Sequence, residues 1–190
     1  TNADTSQPER ELSWTQEVTV GKGAAYGIEF ALRKSQGNWN FWLSYALAWS
    51  NRTLPEVNNG VTFPYKYDRR HNLNLVALCK LSRSLELSAV FTFQSRPKTP
   101  VLIIRTADQS PDAETMRLYA SETDVRAYHR LDLGINWNKA YKSGVTSTWN
   151  LSVFNVYNRE NTFYYFSSEN QISGNALLPI AAALSYTLRF

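Results

Sequence analysis

Asn38–Asn51 reads NWNFWLSYALAWSN. Taken two at a time, it separates cleanly. Trp39, Phe41, Leu43, Tyr45, Leu47 and Trp49 fall on one parity; Asn40, Trp42, Ser44, Ala46, Ala48 and Ser50 fall on the other. Successive side chains of a β-strand point to opposite faces, so strict alternation predicts a strand with one face in an apolar medium.

The same period returns along the chain. Tyr26, Ile28, Phe30 and Leu32 alternate with Gly27, Glu29, Ala31 and Arg33. Leu73, Leu75, Ala77, Cys79 and Leu81 form a third series, and Leu85, Leu87, Ala89, Phe91 and Phe93 a fourth. Leu131, Leu133, Ile135 and Trp137 form a fifth, and Trp149, Leu151, Val153 and Tyr157 a sixth, which carries the predicted strand on to Asn158. A seventh runs from Leu178 through Ile180, Ala182, Leu184, Tyr186 and Leu188 to Phe190. The expectation is about seven strands of roughly ten residues, the length that crosses a bilayer when tilted.

The joins between these strands alternate in length. SQGN, SRS and NKAYKSG are short; the stretches 53–70, about 96–126 and 159–175 are long. An antiparallel meander puts odd and even joins at opposite ends. Tight turns at one end and long loops at the other are the arrangement of transmembrane β-barrels. Trp and Tyr fall near strand ends, as an interfacial aromatic girdle does, and the opposite parity is small, polar or charged, as a wet lumen tolerates. A soluble sandwich or lipocalin-like barrel also alternates and stands as an alternative.

Composition narrows the classes. The 190 residues suffice for one domain. Net charge is +4 from 20 basic and 16 acidic residues, spread without like-charge blocks, which argues against nucleic acid as a partner. The single cysteine, Cys79, excludes an intrachain disulfide. No run reaches the ~20 apolar residues of a spanning helix. His71 and His129 are the only histidines, both at the loop end of a strand, and neither sits in a metal-ligand spacing, even with Asp68 and Asp132 as helpers. Ser121, Asp124 and His129 share a segment, but no motif marks them as a catalytic set. No catalytic residue, cofactor or metal is expected. Tyr65, Tyr67, Arg69 and Arg70 make an aromatic-basic cluster suited to an anionic or sugar-like ligand, with Tyr119, Tyr164 and Tyr165 on other loops. Glu29, Arg33, Lys80, Glu86, Arg130, Asp132 and Arg189 are expected on the lumen face, paired or turned to an interior plug.

The pieces and their order resemble the TonB-dependent receptors, with a Bacteroidetes flavour. YGIEFALRK, NFWLSYALAWSNR followed by FPYKYDRRHNLNLVALCKL, and FQSRPKTP are similar to successive segments of that family, with Arg96 where a Gly is usual. YHRLDLGINW, WNLSVFNVYNRENTFYY and LLPIAAALSYTLRF resemble its closing strands. Leu184, Tyr186, Leu188 and Phe190 match the terminal β-signal read by the outer-membrane barrel assembly machinery. The resemblance implies an all-β, antiparallel transmembrane β-barrel. Residues 20–190 would be the C-terminal segment of a 22-stranded wall, and residues 1–19 an extracellular loop or the end of a preceding strand. Plug and earlier strands would lie outside the chain. It further implies the cell outer membrane as the location, with the C-terminus on the periplasmic side. Lipid and lipopolysaccharide would surround the barrel, TonB would engage the plug, and the imported ligand would be a scarce nutrient: an iron chelate, cobalamin, metal or glycan. A small outer-membrane enzyme or adhesin, and a soluble ligand-binding barrel, are the alternatives.

Overall fold

A computed structural model describes residues 20–55, 58–65, 67–98, 102–105, 116–119, 126–168 and 171–190. The segment 1–19, with its expected loop or strand end, lies outside the described residues, as do Ser121 and Asp124.

Seven long strands form one antiparallel meander: β1 (Lys22–Lys34), β2 (Trp39–Thr53), β4 (His71–Lys80), β5 (Leu85–Gln94), β8 (Tyr128–Ala140), β9 (Thr146–Phe154) and β12 (Ala181–Arg189). Each pairs with its neighbours in that order, and the short β3 (Phe63–Pro64) adds to β2 to make an eight-stranded sheet. Among the described residues there is no α-helix, only a 3-10 turn at Asn58–Gly60.

The turns explain the pairing. Gly37 (φ 82°) and Gly144 (φ 85°) take left-handed conformations in the β1–β2 and β8–β9 turns, where a side chain is strained. In the β4–β5 turn the Ser82 hydroxyl accepts from the backbone N–H groups of Ser84 (3.1 Å) and Leu85 (3.0 Å), closing the loop with a side chain.

The long joins are not irregular loops throughout. β6 (Leu102–Arg105) pairs with β7 (Met116–Tyr119), and β10 (Thr162–Ser168) with β11 (Gln171–Ala176). Tyr119 therefore stands in β7, and Tyr164 and Tyr165 in β10.

Two strand ends differ from the sequence expectation. The sixth strand stops at Phe154, not Asn158, because Asn155 (φ 53°) turns left-handed. Asn adopts that region more readily than other side chains. Val156 then returns to donate to the Leu131 carbonyl at 2.9 Å. The last strand begins at Ala181, so Leu178 and Ile180 precede it.

Register joins the seven apolar series into one face. Phe30, Tyr45, Leu73, Phe93 and His129 lie opposite one another in turn across five strands. Lower on the sheet, Trp39, Cys79, Leu87, Ile135, Leu151 and Leu184 form a second row. A slip of one residue between any two strands would break every row. This face is uncovered. Among the described residues Cys79 is the one buried apolar side chain, while Ile28 is 72% and Leu184 66% exposed. The sheet is open, not a closed barrel: β1 and β12 each have one edge without a described partner.

Candidate functional site

The polar chemistry gathers at the end of the sheet away from the tight turns, in two knots. The first lies between β2 and β4. Asp68 is 2% exposed, and its carboxylate accepts from Arg70 Nε (2.8 Å) and from the Ser50 backbone N–H (3.1 Å). The Asp68 carbonyl accepts from the Lys98 N–H at 3.1 Å, tying in the chain beyond β5. A buried carboxylate without such partners is costly, so the ion pair and the amide are what let it stay.

This knot separates the four residues of the aromatic-basic cluster. Arg70 is taken up by Asp68 and sits over the Trp49 ring at 5.5 Å. Arg69 donates to the Ser95 carbonyl at 3.3 Å. Tyr65 and Tyr67 meet edge to face, 5.2 Å between centroids, and the Arg52 guanidinium stacks 3.6 Å from the Tyr65 ring. Tyr67, Asp68 and Arg69 reach an open groove of ≈ 440 Å³ that runs past Gly27 to Trp49 and Ser50. Of the four residues, Tyr67 and Arg69 share the groove and Tyr65 packs on Tyr67, while Arg70 holds the buried acid and Arg69 also braces a strand end.

The second knot binds β8, β9 and the approach to β12. Asn155, 0% exposed, donates its backbone N–H to Asp132 Oδ1 (2.9 Å). Its side-chain amide donates to the Arg159 carbonyl (2.9 Å) and, at 3.4 Å, to that of Leu178, and its amide oxygen accepts from the Arg159 N–H (3.1 Å). Asn158 Oδ1 accepts from the Ile180 N–H at 2.9 Å. Asn161 closes a two-bond clasp on His129, accepting from its N–H (3.1 Å) and donating to its carbonyl (2.9 Å). Asp132 pairs with Arg130 at 3.0 Å, and Arg130 lies over the Phe154 ring at 4.0 Å. None of these three asparagines was singled out from sequence. The signal was there: Asn at every third position, 155, 158 and 161, directly after an alternating strand.

Each histidine bonds a tyrosine on the apolar face. His71 Nδ1 and the Tyr45 hydroxyl are 2.8 Å apart, as are His129 Nδ1 and the Tyr157 hydroxyl. Burial raises the Tyr157 phenol above its ordinary 10.0, against the opposing charge of Arg159. Asp68 does not join His71. No group of three or more His, Cys, Asp and Glu able to hold a metal occurs among the described residues.

Of the expected lumen charges, Arg130 and Asp132 are the ones joined in an ion pair among the described residues. Lys80 and Glu86 are register partners at the turn end and line an open groove of ≈ 390 Å³. The four terminal residues Leu184, Tyr186, Leu188 and Phe190 are all exposed, and Tyr186 packs on Trp149 at 4.6 Å.

Scans of this chain against protein-family models, curated proteins and solved structures found no match.

Proposed function

We propose that this chain forms part of the wall of a bacterial outer-membrane β-barrel, the C-terminal part of a TonB-dependent receptor. The observation that carries the membrane reading is the uncovered apolar face: seven strands align their apolar parity in register, with Cys79 the one apolar side chain buried among the described residues. In water such a surface would far exceed the few hundred Å² of apolar patch that soluble monomers expose. In a bilayer it faces its own solvent.

The dimensions agree. Trp39 and Trp49 bracket the apolar run of β2. Ten steps of about 3.3 Å give roughly 33 Å along the strand. A tilt of about 40° projects that to ~25 Å, the height of a barrel's apolar band. Trp137, Trp149 and Tyr186 lie opposite one another at the turn end, and Tyr26 stacks on Trp49 (5.5 Å) at the other. Among the described residues the outer edges of β1 and β12 have no strand partner, and hydrocarbon does not tolerate open edges, so on this reading further strands complete the wall.

The choice of receptor type rests on the family resemblance of the segments. On that reading the whole protein takes a scarce nutrient outside and passes it to the periplasm with energy delivered through TonB at the plug. The chain supplies wall, outer hairpins and assembly signal. The deciding experiment is an immunoblot of isolated outer membranes with an antibody against residues 158–175. A band several times the 21.7 kDa of this chain supports a receptor. A band near that mass removes plug and TonB and leaves a small barrel; absence from the outer membrane removes the membrane reading itself.

A further inference from the structure

Charges are mixed along the chain, but the fold sorts them by end. The long joins 53–70, 96–126 and 159–175 carry nine basic and nine acidic residues. The tight-turn end of the sheet carries seven basic and one acidic. Arg33 and Lys34 close β1, Lys80 ends β4 and Arg83 follows in the turn. Lys139 and Lys142 stand at the β8–β9 turn, and Arg189 ends β12. The acid is Glu86, at the start of β5. All seven cations are exposed, and none is ion-paired among the described residues. Successive turns are two strands apart, about 10 Å. That is close to the ~8 Å Debye length at physiological ionic strength, so neighbouring fields overlap along the edge.

Within this strip lies a groove of ≈ 390 Å³, lined by Lys80, Ser82, Arg83, Leu85, Glu86 and Asn138. The Ser82 oxygen already accepts two backbone N–H groups, and the Asn138 amide oxygen accepts from Thr148 Oγ1 at 2.7 Å. What remains is the Ser82 O–H and the Asn138 NH2, both donors. With Lys80 and Arg83 they suit a carboxylate, while Glu86 beside them suits an ammonium group. The groove therefore fits a ligand that bears both charges, and the strip around it fits one that repeats along an edge.

Membrane phosphates do not match this arrangement. They flank the apolar face, yet only Lys34 and Lys139 of the seven stand on the apolar parity, with Phe41 and Trp137. Arg33, Lys80 and Arg189 fall on the opposite parity, and Arg83 and Lys142 lie in turns.

We propose that the tight-turn end docks on the peptide stems of peptidoglycan, a polymer whose diamino-acid stems repeat carboxylate and ammonium groups. The contact rests on the membrane reading above, which turns this end to the periplasm, and adds to it a cell-wall partner.

The test mixes the native full-length protein, in nanodiscs of zwitterionic lipid, with purified sacculi and measures the fraction that sediments. An exposed ion pair contributes up to about fivefold in binding. Retention should fall as salt rises, and should fall by up to about 25-fold in Lys80→Gln/Arg83→Gln. Lys139→Gln/Lys142→Gln, on the neighbouring turn, repeats the test should the first pair fail to assemble. Glu86→Gln should also weaken retention, because it removes the partner of the ammonium group; a plain anion would instead bind this variant more tightly. Equal retention on glycan strands freed of their stems, unchanged retention in both double variants, or unchanged or stronger retention in Glu86→Gln would each overturn the proposal. Full displacement by poly-glutamate at equal carboxylate concentration would also overturn it and assign the surface to an acidic protein segment. A protein that inserts into the discs but ignores sacculi removes this inference alone; one that does not insert removes the membrane reading with it.

Discussion

Asp132 Oδ1 accepts the backbone N–H of Asn155 at 2.9 Å, across 23 residues of chain, where β8 meets the turn that ends β9. Asn155 is fully buried and left-handed (φ 53°), so one residue satisfies a turn, a strand end and the approach to β12 together.

Asn155→Ala should therefore be among the most destabilising single changes in the chain. It removes the side-chain bonds to Arg159 and Leu178. It also asks alanine to hold a left-handed conformation, which costs about 1–2 kcal/mol. With about 1–3 kcal/mol for buried groups left unpaired, the sum is several kcal/mol. Asn155→Gly should lose the second part and keep the first. Urea unfolding followed by heat-dependent gel mobility would separate the two; equal stabilities would show that the left-handed turn contributes nothing.

Gly27 and Gly134 should respond differently to alanine. A Cβ at Gly27 would stand 2.5 Å from the Leu47 carbonyl oxygen and 2.9 Å from Ala48 Cα, both backbone atoms that cannot step aside. At Gly134 the obstacle is the Ser88 hydroxyl at 2.4 Å, which can rotate away. Gly27→Ala should cost about 1–3 kcal/mol, as overpacking does, and Gly134→Ala less than about 1. Comparable melting of the two variants would contradict the close approach of β1 and β2 at Gly27.

On β12, Leu184 and Ser185 are sequence neighbours on opposite faces. Leu184→Arg puts a charge on the apolar face, two residues from the Tyr186 ring at the turn end, and should lower assembly in vesicles by less than the about 2–4 kcal/mol that a cation costs at the midplane. Ser185→Arg should assemble nearly as well as the parent. A reversed order would put the polar face against lipid and sink the membrane reading.

Phe190→Ala should reduce the amount of assembled protein in outer membranes while leaving its ligand specificity unchanged, if the last residue is read during assembly. Pulse-chase labelling with heat-shift gels gives the assembled fraction. Wild-type levels in the variant would remove the assembly-signal role of Phe190.

Alkaline pH should weaken the His129–Tyr157 link. The folded phenol is raised above its ordinary 10.0, first by burial. The protonated form is thus favoured in the folded state, and the stability it brings is fully present below pH 10.0 and lost as pH rises through the higher folded value. Wild type should lose more stability than Tyr157→Phe between neutral and strongly alkaline pH. Parallel curves would mean that the hydroxyl does not contribute.

By itself the sequence determined the seven long strands, their antiparallel order and which side of each is apolar, but not the short pairs β6–β7 and β10–β11 within the long joins. A period of two is a local property, visible wherever one face meets an apolar medium, and β2 with its six alternating apolar residues shows it without help. The short turns were legible for the same reason, since glycine and serine at fixed offsets act within a few residues. Only the tertiary structure decided the fate of the polar residues. Arg69 and Arg70 look equivalent as neighbours in sequence, yet one braces Ser95, 26 residues away, and the other neutralises a buried Asp68. Asn155, Asn158 and Asn161 read as ordinary turn residues until Leu178 and Ile180 of the β12 approach, and His129 of β8, come to meet them. Hydrogen bonds are satisfied by whatever the fold brings within about 3 Å. Hydrophobic alternation is written along the chain, but a polar side chain's partner is written in the register between strands.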